Sequence, residues 1–107
     1  MIVENTSDRD LEYGNPYSIE KYENGYWKSA PTINDLYFTM PAFGLKKGEL
    51  KELNINWEYG YGNLKGKYRI VKDFSYKEND DYVSFNKYLE FEIKWLENSW
   101  FYEQSKY

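Results

Sequence analysis

The stretch NLKGKYRIVKDF, residues 63–74, decides the fold. Its first half contains Gly66 between two lysines, which is typical of a tight turn because glycine adopts backbone conformations that other residues avoid. The second half alternates, and one face of a predicted strand carries Tyr68, Ile70 and Phe74, with Lys72 as the exception. The stretch therefore predicts a β-strand that is entered through a turn and opened by a tyrosine.

Aromatic residues dominate the apolar content, with 13 Tyr, 6 Phe and 4 Trp in 107 residues. Flat rings fit the pleated, half-buried surface of a sheet, so this composition favours β-structure. Residues 53–59 and 89–95 alternate strictly between apolar and polar side chains. Each predicts an antiparallel strand with one face on a core and the other in water.

Residues 17–30 predict a β-hairpin. Asn24-Gly25 is a strong two-residue turn signal because both residues tolerate positive φ. A two-residue turn places Tyr22 opposite Trp27 as a cross-strand aromatic pair. The same register puts two smaller apolar residues on the opposite face, Ile19 and Ala30. The pattern leaves open which of the two faces is buried.

The remaining segments carry weaker signals. Residues 35–39 predict a short strand, 47–48 a turn, and 77–81 a polar loop tip. Residues 96–107 break the alternation and form a separate aromatic tail, in which Asn98-Ser99 could cap a short helix. Short strands separated by turns predict one all-β domain of the sandwich or barrel type.

The sequence contains no cysteine and no histidine. Without cysteine there are no disulfides, no thiol nucleophile and none of the usual zinc sites. Without histidine the chain lacks the side chain most used for acid–base work near neutral pH. We therefore expect no enzyme and no cofactor.

The net charge is −4, from 14 basic and 18 acidic residues. An acidic balance argues against direct binding of nucleic acid and fits a protein partner, including a basic one. No apolar run is long enough for a membrane span, and Met1-Ile2-Val3 is followed at once by polar residues. With no signal peptide visible, we expect a cytoplasmic protein, or an extracellular one if the chain is part of an exported protein.

The opening stretch also resembles a known corner. In immunoglobulin-type sandwiches a tyrosine at the start of one strand hydrogen-bonds back across the preceding turn. The order from Leu64 to Tyr68 (an apolar anchor, a turn, then a tyrosine) is similar, and it follows the predicted strand that holds Trp57. The resemblance assigns Tyr68 to this corner tie.

The wider chain resembles the bacterial immunoglobulin-like domains found in many Firmicutes proteins. The segments that carry the resemblance are YGNPYSIEKYENGYW (13–27), LKKGELKELNINW (45–57), LKGKYRIVKDF (64–74) and LEFEI (89–93). The resemblance implies an antiparallel immunoglobulin-like sandwich over residues 1–95, used as an accessory or interaction module without a catalytic motif.

Two departures from that family are expected. The chain before Val3-Glu4-Asn5 is short, which predicts a shortened or missing N-terminal strand, and the tail 96–107 is additional. A missing strand exposes unpaired backbone groups at a sheet edge. We expect the tail, a partner strand or a second copy in a homodimer to cover that edge.

Candidate functional residues lie in two places. The acidic loop contains Glu78, Asp80 and Asp81, which we expect to contact a protein partner. Their oxygens also suit calcium but lack the spacing of a calcium loop, so we expect no metal. The tail contains Trp100, Phe101 and Tyr102, which either dock on their own domain or form a protein interface. We expect structural roles for four others: Trp27, Trp57, Gly66 and Tyr68. Glu90 and Glu92 share a strand face, which is typical of a solvated face rather than a glycosidase pair.

Three functions remain open. The first is a non-enzymatic protein–protein interaction module. The second is a small acidic inhibitor of phage type, which blocks the basic nucleic-acid groove of a host defence protein such as a CRISPR nuclease. The third is a carbohydrate-binding accessory module of a surface protein, because aromatic rings stack on sugars.

Overall fold

The chain is an all-β protein, as the sequence predicts. The computed structural model describes residues 1–96 and 99–104, with side chains as far as Ile93. Its strands and one helical turn are β1 Ile2–Glu4, β2 Leu11–Tyr13, β3 Ser18–Glu23, β4 Tyr26–Ser29, β5 Phe43–Leu45, β6 Leu50–Glu52, α1 Glu58–Tyr61, β7 Gly66–Glu78, β8 Asp81–Leu96 and β9 Ser99–Gln104. The registered strand pairs are antiparallel. Among the described residues no helix has the length and apolar character to cross a membrane.

The chain divides into two compact units. Unit 1 consists of Met1–Pro16, Tyr37–Asn56 and Asp73–Lys87. Unit 2 consists of Tyr17–Leu36, Trp57–Lys72 and the described residues from Tyr88 onward. The long strands β7 and β8 contribute residues to both units, so each unit is described with its own part of these strands.

Unit 1 packs around three buried apolar side chains on three strands. Leu11 of β2 lies opposite Leu45 of β5, and Phe74 of β7 completes the cluster. Four partly buried side chains surround it: Val3, Tyr13, Tyr76 and Phe85. A separate two-stranded ladder joins β1 to β6. Burial of these side chains supplies the main stabilising term of the unit.

Asn5 is the polar centre of unit 1, with a side chain that is only 2% exposed. Its amide nitrogen donates to the backbone carbonyls of Arg9 (2.7 Å) and Leu45 (2.9 Å). Its amide oxygen accepts hydrogen bonds from the backbone N–H (3.0 Å) and hydroxyl (2.5 Å) of Ser7. All the polar atoms of this buried amide are therefore satisfied, which a buried amide requires.

Unit 2 contains the predicted hairpin, which is confirmed. Strands β3 and β4 flank Asn24 and Gly25, whose φ angles are 53° and 83°. β3 also pairs with the first part of β7, where Ile19 lies opposite Ile70. The buried apolar side chains of this unit include Ile19, Ala30, Tyr68, Ile70 and Phe91. The sheet of unit 2 thus runs in the order β4, β3, β7, β8, β9.

The opening stretch forms the start of β7. Gly66 has φ 110°, a conformation that side-chain-bearing residues avoid. The Tyr68 hydroxyl donates to the Lys65 carbonyl (3.1 Å) and lies 3.3 Å from the Lys65 N–H, the local tie of a corner tyrosine. The expected exception, Lys72, is itself buried on the same face and only 5% exposed.

The predicted strand at residues 53–59 is wrong. Leu53 is buried and Ile55 and Trp57 are partly buried, so the alternation records burial for these three, whereas Tyr59 is exposed. However, β6 ends at Glu52, and the chain enters the helical turn α1 instead of a ladder. Alternation reports which side chains face a core, whereas a strand also needs backbone partners.

The predicted strand at residues 35–39 is also wrong, because the preceding segment binds α1. The backbone N–H groups of Ile33 (2.7 Å) and Asn34 (3.4 Å) both donate to the Gly60 carbonyl. Leu36 packs against Gly60 so closely that a Cβ there would overlap it. The strand in this region is β5, which begins at Phe43.

The predicted turn at residues 47–48 is confirmed, with Gly48 at φ 79°. The predicted strand at residues 89–95 is confirmed as part of β8. The short helix expected in the tail is wrong, because Ser99–Gln104 forms β9 and pairs with β8. The backbone N–H and C=O groups of the tail therefore bond to a neighbouring strand and not to one another within a helix.

Candidate functional site

The β3–β4 hairpin presents an aromatic pair to solvent. Tyr22 lies directly opposite Trp27, and their ring centroids are 5.1 Å apart in an edge-to-face arrangement. Ile19 and Ala30 are buried on the opposite face, which settles which side of the hairpin faces the core. Trp27, for which a structural role is expected, lies partly buried on the solvent face, because the turn fixes its register with Tyr22.

Arg69 of β7 is held between two aromatic rings. Its guanidinium carbon lies 4.4 Å from the centroid of Trp27 and 4.2 Å from that of Tyr88. Its Nε donates to the Glu20 carboxylate on β3, the residue directly opposite in the ladder. Two ring faces and one carboxylate therefore fix this guanidinium in a single arrangement.

Lys67 lies two residues before Arg69 on β7, on the same face, and also contacts aromatic rings and a carboxylate. Its ammonium lies 4.8 Å from the Tyr22 centroid and 5.8 Å from the Trp27 centroid. It also lies 3.7 Å from a carboxylate oxygen of Glu90, and that oxygen is buried and accepts no hydrogen bond from any described residue. The two cations are thus matched by two carboxylates, Glu20 and Glu90.

We call this surface the aromatic–cationic face; its members are Glu20, Tyr22, Trp27, Lys67, Arg69, Tyr88 and Glu90. The side chains of Tyr22 and Tyr88 are 41% and 48% exposed, so their rings remain accessible while their positions are fixed. Tyrosine, tryptophan and arginine are the residues most enriched at protein interfaces. Rings that are already ordered lose little conformational entropy when a partner covers them.

The predicted acidic site lies in unit 1, at the turn between β7 and β8. Asn79 and Asp80 form that turn with φ angles of 50° and 70°, while Glu78 and Asp81 belong to the flanking strands. Arg9 contacts the Glu78 carboxylate at 3.3 Å, so Glu78 is engaged within its own unit. Asp80 and Asp81 are exposed. In the part of the chain that the structure describes, no group of three or more acidic, histidine or cysteine side chains could hold a metal ion.

The predicted tail site lies on β9. Its backbone pairs Trp100 with Trp95, Phe101 with Lys94 and Tyr102 with Ile93. The side chains of these tail residues lie outside the described part of the structure. The structure therefore brings neither Glu78, Asp80 and Asp81 nor the tail rings into the aromatic–cationic face.

Three residues expected to be structural lie within unit 2. Trp57 stacks on the buried Phe91 at 4.9 Å between ring centroids, and Tyr68 also stacks on Phe91, at 5.8 Å. Gly66 begins β7. The sequence did not point to Lys67, Arg69 or Tyr88 as site residues. The signal that could have found the two cations is their spacing of two residues on a strand that neighbours the predicted hairpin.

Comparisons with known proteins concern the whole chain rather than this face. Residues 1–101 match the bacterial Ig-like domain family. No curated protein and no solved structure matches the chain. The family match extends to residue 101, so the first part of the tail, expected to be additional, lies inside it. With its antiparallel all-β architecture, the chain belongs to the bacterial Ig-like domain family and has the fold class of the immunoglobulin-like sandwich.

Proposed function

We propose that this domain is a non-enzymatic module that binds another protein through its aromatic–cationic face. The observation that carries the proposal is the Arg69 guanidinium held between the rings of Trp27 and Tyr88 on an exposed sheet face. Bacterial Ig-like domains are generally not catalytic, which agrees with this role. An exposed aromatic surface of this kind is uncommon unless it is used for binding.

A protein fits this face better than a nucleic acid does. Lys67 and Arg69 are the cations of the face, and each is close to a carboxylate, so the surface offers little net positive charge. Nucleic-acid binding depends mainly on unmatched cations that replace counterions on the phosphates. A protein surface, in contrast, gains from ordered rings with polar groups at their rim.

The proposal is tested by capturing partners from a bacterial lysate. The immobilised domain is compared with Tyr22→Ala and Tyr88→Ala, which truncate exposed rings of the face. The matched control is Tyr59→Ala, an exposed tyrosine on α1 outside the face. We expect a protein that the native domain and the control retain and that both face variants lose.

Truncation of one interface ring typically costs about 1–2 kcal/mol of binding free energy, or about 5- to 30-fold in affinity. Melting curves of all four proteins check that the variants are folded. Retention that is equal across all four proteins contradicts the proposal, as does retention of the domain on polysaccharide with no protein captured.

A further inference from the structure

Strand β4 is an edge of the sheet in unit 2. Within the described residues, β4 pairs with β3 alone. The Ala30 N–H donates to the Ile19 carbonyl at 2.9 Å, so at this position the backbone groups of the two chain segments point toward each other. Such positions alternate along an antiparallel ladder, so the backbone groups of Tyr26 and Lys28 point to β3. The N–H and C=O groups of Trp27 and Ser29 therefore point away from the sheet, toward the open edge.

The two faces of this edge differ in chemistry. On one side lie Trp27 and Ser29, next to the aromatic–cationic face. On the other side Lys28 lies directly opposite Lys21, so two lysine side chains leave neighbouring positions across the strands. Like charges in this position destabilise a sheet. Glu23 is the next residue on that face, yet neither lysine forms an ion pair among the described residues.

We infer that β4 accepts an extended, acidic segment of the partner protein as an added strand. Its backbone pairs with Trp27 and Ser29, which matches the recognition mode by which peptides extend an exposed sheet edge. Alternate side chains of the segment are carboxylates that meet Lys28 and Lys21, and the others are apolar and extend the surface beside Trp27. This inference rests on the proposed binding function and specifies the partner's chemistry.

A second copy of the chain fits this edge less well. Two β4 strands related by a two-fold axis at Lys28 bring the two Lys28 side chains directly opposite each other. An axis at Trp27 pairs Lys28 with Tyr26 of the copy and leaves the lysines without an acidic neighbour. An acidic segment supplies the missing opposite charge in a way that neither self-pairing does.

The test uses two blocked octapeptides, one in which valine and glutamate alternate and one in which valine and lysine alternate. Each is titrated into the ¹⁵N-labelled domain, and backbone amide shifts and hydrogen exchange are recorded. We expect the glutamate peptide to slow exchange of the Trp27 and Ser29 amides. The amides of Tyr26 and Lys28 are already bonded to β3 and should change little.

Two variants separate the backbone and charge contributions. Ser29→Pro removes an N–H that the ladder does not use, and proline is tolerated at such edge positions, so the fold should persist while the peptide is lost. Lys28→Glu should weaken the glutamate peptide by about fivefold, the upper range for one exposed ion pair, and strengthen the lysine peptide. The control Lys87→Glu, an exposed lysine on β8, should leave both affinities unchanged.

Several results would overturn the inference. These are no binding of the glutamate peptide at about 1 mM, equal binding of the two peptides, undiminished binding by Ser29→Pro, and changes confined to amides outside β4. A dimer of the native chain that Ser29→Pro dissociates would assign the edge to a second copy and overturn it as well.

Partner capture separates this inference from the proposed function. Capture that Tyr88→Ala abolishes but Ser29→Pro retains leaves the binding function standing and overturns strand addition. Capture that is indifferent to Tyr88→Ala overturns the proposed function itself.

Discussion

Replacing Asn5 should be among the most damaging single changes in unit 1. Asn5→Ala removes four side-chain hydrogen bonds at once and leaves the buried carbonyl of Leu45 without its amide donor. One net hydrogen bond contributes about 0.5–1.5 kcal/mol, and a buried group left unsatisfied costs about 1–3 kcal/mol. Because partial relaxation recovers some of this sum, we expect a loss of about 3 kcal/mol in the free energy of unfolding.

Asn5→Asp should be worse than Asn5→Ala at neutral pH. The carboxylate would face the carbonyl oxygens of Arg9 and Leu45, which now accept hydrogen bonds from the amide. Burial should raise the pKa of this aspartate in the folded state above its unfolded value of about 3.9. The stability of this variant should therefore be highest below that unfolded value and fall as the pH rises through the folded pKa.

Urea denaturation followed by far-UV circular dichroism measures both effects. With a slope of about 2 kcal/mol per molar urea, Asn5→Ala should lower the midpoint by about 1.5 M. Asn54→Ala, at an exposed asparagine, is the matched control and should change stability by less than about 0.5 kcal/mol. A loss below that value for Asn5→Ala, or a pH-independent difference between the Ala and Asp variants, would refute this account of the buried amide.

Three further predictions concern unit 2. Gly60→Ala should destabilise by about 1–3 kcal/mol because its Cβ overlaps Leu36, and the same change in a Leu36→Ala background should cost less, as measured by chemical denaturation. Tyr61→Phe should cost about 1–3 kcal/mol, because the hydroxyl accepts the buried Ile19 N–H at 3.2 Å; hydrogen exchange of that amide checks the cause. Burial, with a smaller contribution from Tyr61, raises the pKa of Tyr17 in the folded state. The contribution of the neutral Tyr17 to the free energy of unfolding is therefore complete below pH 10 and lost as the pH rises through the folded pKa. Tyr17→Phe should flatten the fall in stability above pH 10.

Each of these predictions has a result that would contradict it. Strictly additive effects of Gly60→Ala and Leu36→Ala would remove the steric explanation. Unchanged exchange of the Ile19 amide in Tyr61→Phe would show that the hydroxyl does not protect it. Parallel plots of the free energy of unfolding against pH for the native chain and Tyr17→Phe would show that ionisation of Tyr17 does not affect stability.

Local signals in the sequence were sufficient where the chain bonds to itself over a short distance. Asn24-Gly25 predicted the hairpin and the pairing of Tyr22 with Trp27, because positive φ at both turn residues leaves one register. The alternation of residues 89–95 also predicted part of β8, because its polar and apolar side chains alternate regularly over seven residues.

Long-range pairing was not readable from the sequence. β2 and β5 have three residues each, and neither carries enough alternation to indicate that Leu11 meets Leu45. Residues 53–59 alternate, but none of the described strands includes them, so burial was predicted correctly for Leu53, Ile55 and Trp57 and wrongly for the exposed Tyr59, and the backbone structure was not predicted. The aromatic–cationic face was missed for a related reason, because Arg69 and Tyr88 meet only after β3, β7 and β8 have found their register.

The ladder between β1 and β6 has a consequence for how the chain folds. Ile2 pairs with Glu52 and Glu4 with Leu50, so this ladder closes a loop of roughly 45 residues, whereas the β7–β8 hairpin needs only a two-residue turn. A contact that closes a long loop lowers the conformational entropy of the chain before neighbouring contacts have formed to offset that loss. Such contacts therefore slow folding. We therefore expect the N-terminal ladder to form after the rate-limiting step. Substitutions in β1 should then accelerate unfolding and leave the folding rate almost unchanged, whereas substitutions in the β7–β8 hairpin should slow folding.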